Sequence, residues 1–482
     1  MTLAFFHSDC FAILPELMLM GLGVIAIALS FTKLKYSPLS FHAILWGQVI
    51  VYAFSSIAFL QRPLHFDKAL FGGMLLIGAG NKIACLALQF ISIVIAWMSR
   101  RVSQKQTRLG LEFFGLLTAA TVSLMFFVKA GNLVSLFVSL EASSLFITLM
   151  LALSSNPRAA ARTALKYLVQ SALSAVIMLW GIALVYAAAG SLAYDALSCK
   201  LLLANSPWGF AGVGLIIASL AFKLGLFPFF YYLPEIYENA GYPALAFLAS
   251  SSKLAAAVAL IALIGGPLVQ LSRVYAPVLT ALVGVTAVWA ALGALHQTNL
   301  KRLLALSGSV HTSFIIACAL FSSLMPGALW AVAFYFAVYI AALLLALYGL
   351  VELDLENPTM ETLKNCHRRH PGFAILLALA FASMAGLPPL GGFIAKFLVF
   401  LNGILTHNWP LVAALIAGSV IALCYYLRVL FAVFGRHTNQ PEAPEAPQLT
   451  NIPLSTRVFM GFMAFVILVL GLIQGPISFA AK

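Results

Sequence analysis

Six ionisable residues stand where an apolar chain tolerates them least. Glu141 lies in SLFVSLEASSLF, Lys166 in RTALKYLVQ, Lys223 in AFKLGLFPFF, Lys253 in SSSKLAAAV, His311 in SGSVHTSF and Lys396 in GGFIAKFLVF. A charged side chain costs several kcal/mol in hydrocarbon, so such residues as a rule face a polar interior or a water-filled path. Amines, an imidazole and one carboxylate share the ability to take up and release a proton. A sodium ion would want several oxygen ligands, and a set made mostly of lysines repels it. The chemistry these types suit is proton transfer through a buried polar interior.

Each residue has a plainer alternative. Lys166 is only about a turn and a half inside its apolar run and can snorkel to the surface, so structural and functional roles are both open. His311 alone reads as a hydrogen-bonded interior histidine as readily as a proton carrier. Lys82 and Arg428 can reach an interface and are set aside. Glu141, Lys223, Lys253 and Lys396 sit too deep for that, which favours function.

The elements that position them follow from composition. With 63% apolar and 9% charged residues over 482 positions, the chain is a membrane protein. A crossing helix needs about 20 apolar residues. About fourteen such runs occur, at 11–31, 41–61, 76–98, 110–128, 131–153, 162–188, 209–230, 243–264, 274–295, 301–321, 327–351, 372–406, 409–434 and 457–479. Short alternating segments of the kind that build membrane barrels are not seen. The expected fold is all-α and polytopic, with residues 1–482 forming one membrane domain.

No Lys or Arg precedes the first run in MTLAFFHSDCF, which argues against a cleaved signal. Lys33, Lys35, Arg100, Arg101, Lys105, Arg108, Arg158, Arg162, Lys301, Arg302, Lys364, Arg368, Arg369, Arg436 and Arg457 follow odd-numbered runs. Only Arg62, Lys68, Lys129, Lys200 and Arg273 follow even ones. The positive-inside rule then places both termini on the outer, periplasmic side. This bias carries most of the +13 charge; scattered over short loops, it forms no nucleic-acid face. The six cysteines, Cys10, Cys85, Cys199, Cys318, Cys366 and Cys424, show no CxxC pairing. KNCHRRH, 364–370, reads as a basic loop before a metal site, and Gly435 to Gln448 as an extended solvated linker. No nucleotide fingerprint offers a seat for NADH, ATP or flavin.

Pro228 removes a backbone donor five residues after Lys223, so the seventh helix should break just after the lysine. The twelfth repeats the device, with GLPPLGGF (Gly386 to Phe393) before Lys396. Paired breaks five helices apart suggest two repeats, helices four to eight (110–264) and nine to thirteen (274–434). An odd helix number gives them inverted orientation.

These residues carry a resemblance. LFVSLEASSL, ARTALKYLVQSA, FKLGLFPFFYYLPEIYENAG, HQTNLKRLLALSGSVHTSF and GLPPLGGFIAKF, with ILPELML near the start, resemble the antiporter-like membrane subunits of NADH:quinone oxidoreductase, respiratory complex I. QTNLKR and Lys396 are similar to the N-type member. The family commonly has a histidine where this chain has Phe230, which leaves a water or Lys223 itself to bridge the gap. The family's WxPDxY element stands here as Tyr232, Pro234, Glu235 and Tyr237.

The resemblance implies proton translocation in a bacterial inner membrane, driven by quinone reduction elsewhere. NADH, FMN, iron–sulfur clusters and quinone would sit in partner subunits, and the partners would be neighbouring small and antiporter-like subunits and lipids. On this reading Glu141 switches against Lys223, with Lys166 as a competing or relaying cation. Lys223 loads the proton, Lys253 and His311 extend the path through water, and Lys396 releases it outward. A carboxylate–lysine contact at about 4 Å and effective dielectric near 20 is worth roughly 4 kcal/mol. Moving a proton against about 150 mV costs roughly 3.5 kcal/mol, so one such switch suffices. A multisubunit Na+/H+ antiporter, a membrane-bound hydrogenase and a non-pumping scaffold are the rival readings. A solitary carrier would need a midplane substrate pocket.

Overall fold

The computed structural model describes residues 9–472 apart from 11, 61–67, 106–108, 155, 196, 198–205, 323–327, 354–356, 365 and 436–452. Cys199, the loop residues Arg62, Arg108, Lys200 and Arg436, and most of the linker from Gly435 to Gln448 lie outside the described residues. Every apolar run carries helix. The helices are α1 (Leu14–Ser30), α2 (Pro38–Leu60), α3 (Ala79–Lys105), α4 (Leu111–Val128), α5 (Leu133–Ala152), α6 (Pro157–Ala189), α7 (Pro207–Leu224), α8 (Leu233–Asn239), α9 (Tyr242–Phe247), α10 (Lys253–Gly265), α11 (Ser272–Leu295), α12 (Leu300–Ser322), α13 (Ala328–Glu352), α14 (Cys366–Arg369), α15 (Pro371–Ala385), α16 (Gly391–Leu405), α17 (Trp409–Phe434) and α18 (Leu454–Leu472). Among the described residues twelve helices are long and apolar enough to cross a membrane; α1, α15 and α16 are shorter apolar helices beside them.

The starts of these helices are written in the sequence. Asn132 caps α5, accepting from the Val134 N–H at 2.8 Å, and Asn156 with Pro157 opens α6, as short polar side chains do for the orphan amides of a first turn. Along α6 the exposed side chains Leu165, Val169, Leu173, Val176 and Trp180 form an apolar stripe, the pattern of a face turned away from water. One element was not anticipated. Lys68–Leu70 (β1) and Leu75–Ile77 (β2) form a two-stranded antiparallel hairpin, with Leu70 opposite Leu75 and Gly72 and Gly73 at its turn. It departs from an otherwise helical chain.

The chain packs as two units. The first holds Met1–Leu224 and Asn239–Tyr275; the second holds Gly225–Glu238 and Ala276–Lys482. In the first, α6 and α7 cross so closely at Gly181 and Gly212 that a Cβ on either would stand 2.7 Å from the other's carbonyl oxygen, and Ser174 and Ser219 hydroxyls meet at 2.9 Å. Small residues permit that approach in a membrane helix pair.

Both expected breaks are present. α7 ends at Leu224 because Gly225 takes φ +68°, three residues ahead of Pro228, and a short 3-10 turn (Phe229–Tyr232) leads into α8. α15 ends at Ala385 because Gly386 takes φ +85°, and α16 restarts at Gly391. Left-handed backbone is open to glycine without a Cβ penalty. A third irregularity interrupts the eighth run, where Leu248–Ser252 is a single π turn.

Candidate functional site

Glu141, Lys223 and Lys253 belong to the first unit, and the structure builds a polar centre around Lys223. The lysine is 7% exposed and sits one residue before the end of α7. Its amine donates to Ser144 Oγ at 2.8 Å and Tyr167 OH at 3.0 Å, and lies 5.5 Å from the Tyr167 ring centroid. Glu141 is one turn before Ser144 on α5, on the same helix face. Its Oε1 is buried and has no hydrogen-bond partner among the described residues. Among the described residues Glu141 and Lys223 are not ion-paired in this structure. The amine rests on the hydroxyls, with the carboxylate a helical turn away.

Lys166 stands on the other side of its helix. It is exposed on α6, and Lys223's hydrogen bonds do not include it. Successive helix residues point about 100° apart, so the outward Lys166 puts its neighbour Tyr167 inward, at 1% exposure. Tyr167, which the sequence did not single out, is the α6 side chain that meets Lys223.

Lys253 is 2% exposed, and its amine has no hydrogen-bond partner among the described residues. It opens α10 directly after the π turn, behind the buried hydroxyls of Ser250, Ser251 and Ser252. Such turns gather at functional sites in helical proteins.

His311 and Lys396 belong to the second unit. His311, 4% exposed on α12, has a hydroxyl at each ring nitrogen: Tyr335 of α13 at 3.0 Å from Nδ1 and Tyr426 of α17 at 3.1 Å from Nε2. A neutral imidazole has one N–H and one lone pair, so one phenol donates while the other accepts. Tyr339 lies against the ring at 4.8 Å. Beside this cage is a cavity of about 10 Å³, lined by His311, Tyr335, Tyr339, Ser383, Gly392 and Ala395 among others, close to the volume one water needs. The Ser383 and Tyr339 hydroxyls are buried without a partner among the described residues.

Lys396 follows Ala395 on α16, at 5% exposure. Its amine donates to the Ala385 carbonyl at 2.8 Å and lies 5.7 Å from the Phe314 ring centroid. Ala385 ends α15, so the lysine answers a carbonyl that the break withholds from the helix ladder. The crossing is tight: a Cβ on Gly392 would stand 1.7 Å from the Ser383 carbonyl oxygen.

The segment after the first break is anchored inside the second unit. Thr286 Oγ1 accepts from the Phe227 N–H at 2.7 Å. QTNLKR proves structural: Asn299 caps α12, accepting from the Lys301 and Arg302 amides at 2.9 and 3.2 Å, while Arg302 pairs with Glu238 at 2.9 Å. Phe230 is buried, with its ring 6.4 Å from that of Phe227, so an apolar contact stands where the family resemblance would put a histidine. Among the described residues no cluster of three or more His, Cys, Asp or Glu is gathered as a metal ion would require.

Comparison with known proteins gives the chain its relatives. Residues 130–422 match the family model described as NADH:quinone oxidoreductase/Mrp antiporter, TM. The chain is 31% identical to NADH-quinone oxidoreductase subunit N 2 of Acidobacterium capsulatum, over 95% of both chains. It superposes on a chain of respiratory complex I from Thermus thermophilus with TM-score 0.79 and 26% identity, covering 97% of this chain and all of that one. A chain of the Mrp complex from Dietzia sp. gives TM-score 0.80 at 17% identity, covering 97% and 95%, a likeness of fold alone.

Proposed function

The chain belongs to the family of N-type, antiporter-like membrane subunits of NADH-quinone oxidoreductase, and from that premise we propose that it moves protons through the buried amines described above. One observation carries the reading. Lys223, Lys253 and Lys396 are each buried, none is ion-paired among the described residues, and each stands at a defect in regular helix: the end of α7, the π turn before α10, and the freed carbonyl of α15. Lysines retained solely for folding would be expected to pair with carboxylates. Amines left beside freed backbone groups suit a hydrated cavity instead.

In this account Glu141 is the gate. When its carboxylate turns to Lys223 the amine holds a proton; when the amine returns to Ser144 and Tyr167 the proton is free to leave. Lys253 receives charge in the first unit, and His311 passes it between Tyr335 and Tyr426 in the second. A water in the cavity beside His311 links it to the turn of α16 that carries Lys396, the release site. Lys166, on the exposed face of α6, acts on this path as a competing or relaying cation. Phe230 takes no proton.

The drive comes from quinone reduction in partner subunits, which hold the NADH, flavin, iron–sulfur and quinone sites, while this chain binds none of them. Neighbouring small and antiporter-like subunits and lipids cover its outer faces. Residues 110–264 and 274–434 are the two inverted repeats of a fourteen-crossing chain. Both termini lie on the periplasmic side of a bacterial inner membrane, from the lysine and arginine bias of the loops.

Glu141→Gln in the intact, reconstituted complex tests the gate. Proton pumping and coupled quinone reduction should both fall while the complex still assembles; undiminished pumping would remove Glu141 from the mechanism.

A further inference from the structure

A buried carboxylate–lysine pair that this path does not use lies in the first unit. Glu16 of α1 is 1% exposed and accepts a hydrogen bond through Oε1 from the amine of Lys129, the residue that closes α4. Both line a cavity of about 310 Å³ within the first unit, bounded by the start of α1, the last turns of α2, the first turns of α3 and the end of α4. Its polar end is underfilled. Glu16 Oε2 and Gln89 Oε1 are buried acceptors without a partner among the described residues, and Gln89, 3% exposed, turns its amide nitrogen to the Met125 sulfur at 3.8 Å. Ser55 on the wall spends its hydroxyl on the Val51 carbonyl.

The chemistry of the wall selects the occupant. Water filling this volume would be many molecules, and each wants two or more polar partners. Apart from this polar end the wall is largely Leu14, Phe54, Ile57, Phe59, Ile77 and Leu86, which offers water nothing. An amphiphile matches both regions. Its head must donate hydrogen bonds, because the two open groups only accept, and Lys82, on the same wall one turn from Cys85, adds a positive charge that favours a phosphate nearby. We infer that the cavity binds the head of an aminophospholipid: the ammonium donates to Glu16 and Gln89, the phosphate meets Lys82, and the chains lie on the apolar wall.

The test separates donor from non-donor heads. The intact complex is placed in vesicles of phosphatidylethanolamine or of phosphatidylcholine with the same acyl chains, since the quaternary choline head has no N–H to give. Retained lipid is counted by native mass spectrometry, and the melting midpoint is recorded. The wild type should keep one phosphatidylethanolamine more than Gln89→Leu does, bind it about tenfold more tightly than phosphatidylcholine, and melt higher in phosphatidylethanolamine. Gln89→Leu leaves the ion pair intact. The double change Glu16→Leu with Lys129→Leu removes both charges together, a replacement that buried pairs often tolerate, and should lose the same lipid. Equal retention of the two lipids, equal loss from neither variant, or a map of the complex with only water or a neighbouring subunit's side chain in the cavity would overturn the assignment.

Discussion

The Lys223 amine donates to Ser144 Oγ at 2.8 Å and leaves Glu141 Oε1, one turn earlier on α5, without a hydrogen bond. Ser144 and Glu141 therefore offer alternative seats on one helix face. In the proposed mechanism a small swing of the four-carbon side chain would move the amine between them. On the proposed reading the hydroxyl stabilises the disengaged position without fixing the charge, so that the pair can switch.

Removing that seat should bias the switch. Ser144→Ala takes away a hydrogen bond to a charged group, worth about 1.5–3 kcal/mol, and should slow coupled quinone reduction by about tenfold with the complex assembled. Tyr167→Phe removes the other partner and should act in the same direction. Turnover assays on membranes normalised to complex content check both.

The tyrosine cage of His311 gives a second expectation. Tyr426→Phe deletes the hydroxyl 3.1 Å from Nε2 and Tyr335→Phe the one 3.0 Å from Nδ1. Each should lower proton flux, and the double variant should cost no more than the worse single one, because both interrupt one relay. Additive losses in proteoliposome pumping would indicate separate structural roles.

At the second break, Gly386→Ala places a Cβ at φ +85°, 3.0 Å from Lys396 Cδ. The backbone strain alone costs about 1–2 kcal/mol, and the displaced lysine loses its Ala385 carbonyl. The variant should melt lower and pump less. Gly392→Ala, with its Cβ 1.7 Å from the Ser383 carbonyl, should fail to assemble. Thermal denaturation of the purified complex and blotting of membranes give the readouts.

Asn299→Ala should behave differently. It removes the cap of α12, worth about 1 kcal/mol, at a distance in chemistry from the amines. Complex yield should fall, while turnover per assembled complex stays near that of the wild type.

Much of this arrangement was legible beforehand. Glu141, Lys223, Lys253, His311 and Lys396 declared themselves because charge is rare in apolar runs, and GLPPLGGF marked its break through glycine and proline. Pro228 marked the first break less well: Gly225, whose backbone is left-handed, ends α7 before the proline is reached. The partners were hidden. Tyr335 and Tyr426 are 91 residues apart by their numbers in the sequence and meet only when α13 and α17 pack on α12, and no local period announces that. Lys166 and Tyr167 show the same limit, since adjacent positions near a helix start cannot be told inward from outward until α7 is in place. The Glu16–Lys129 pair joins ends of two different runs, and each residue alone reads as an interfacial charge.

The central claim is that the buried amines of this chain carry protons. Its most direct test is the number of protons moved per NADH oxidised, measured together with turnover, in proteoliposomes of the complex bearing Lys223→Met at wild-type subunit content. Loss of an acid–base group should lower turnover by about a hundredfold or more in a fully coupled enzyme, or lower the proton ratio if this chain's channel is merely bypassed. Wild-type turnover with a wild-type proton ratio would contradict the account.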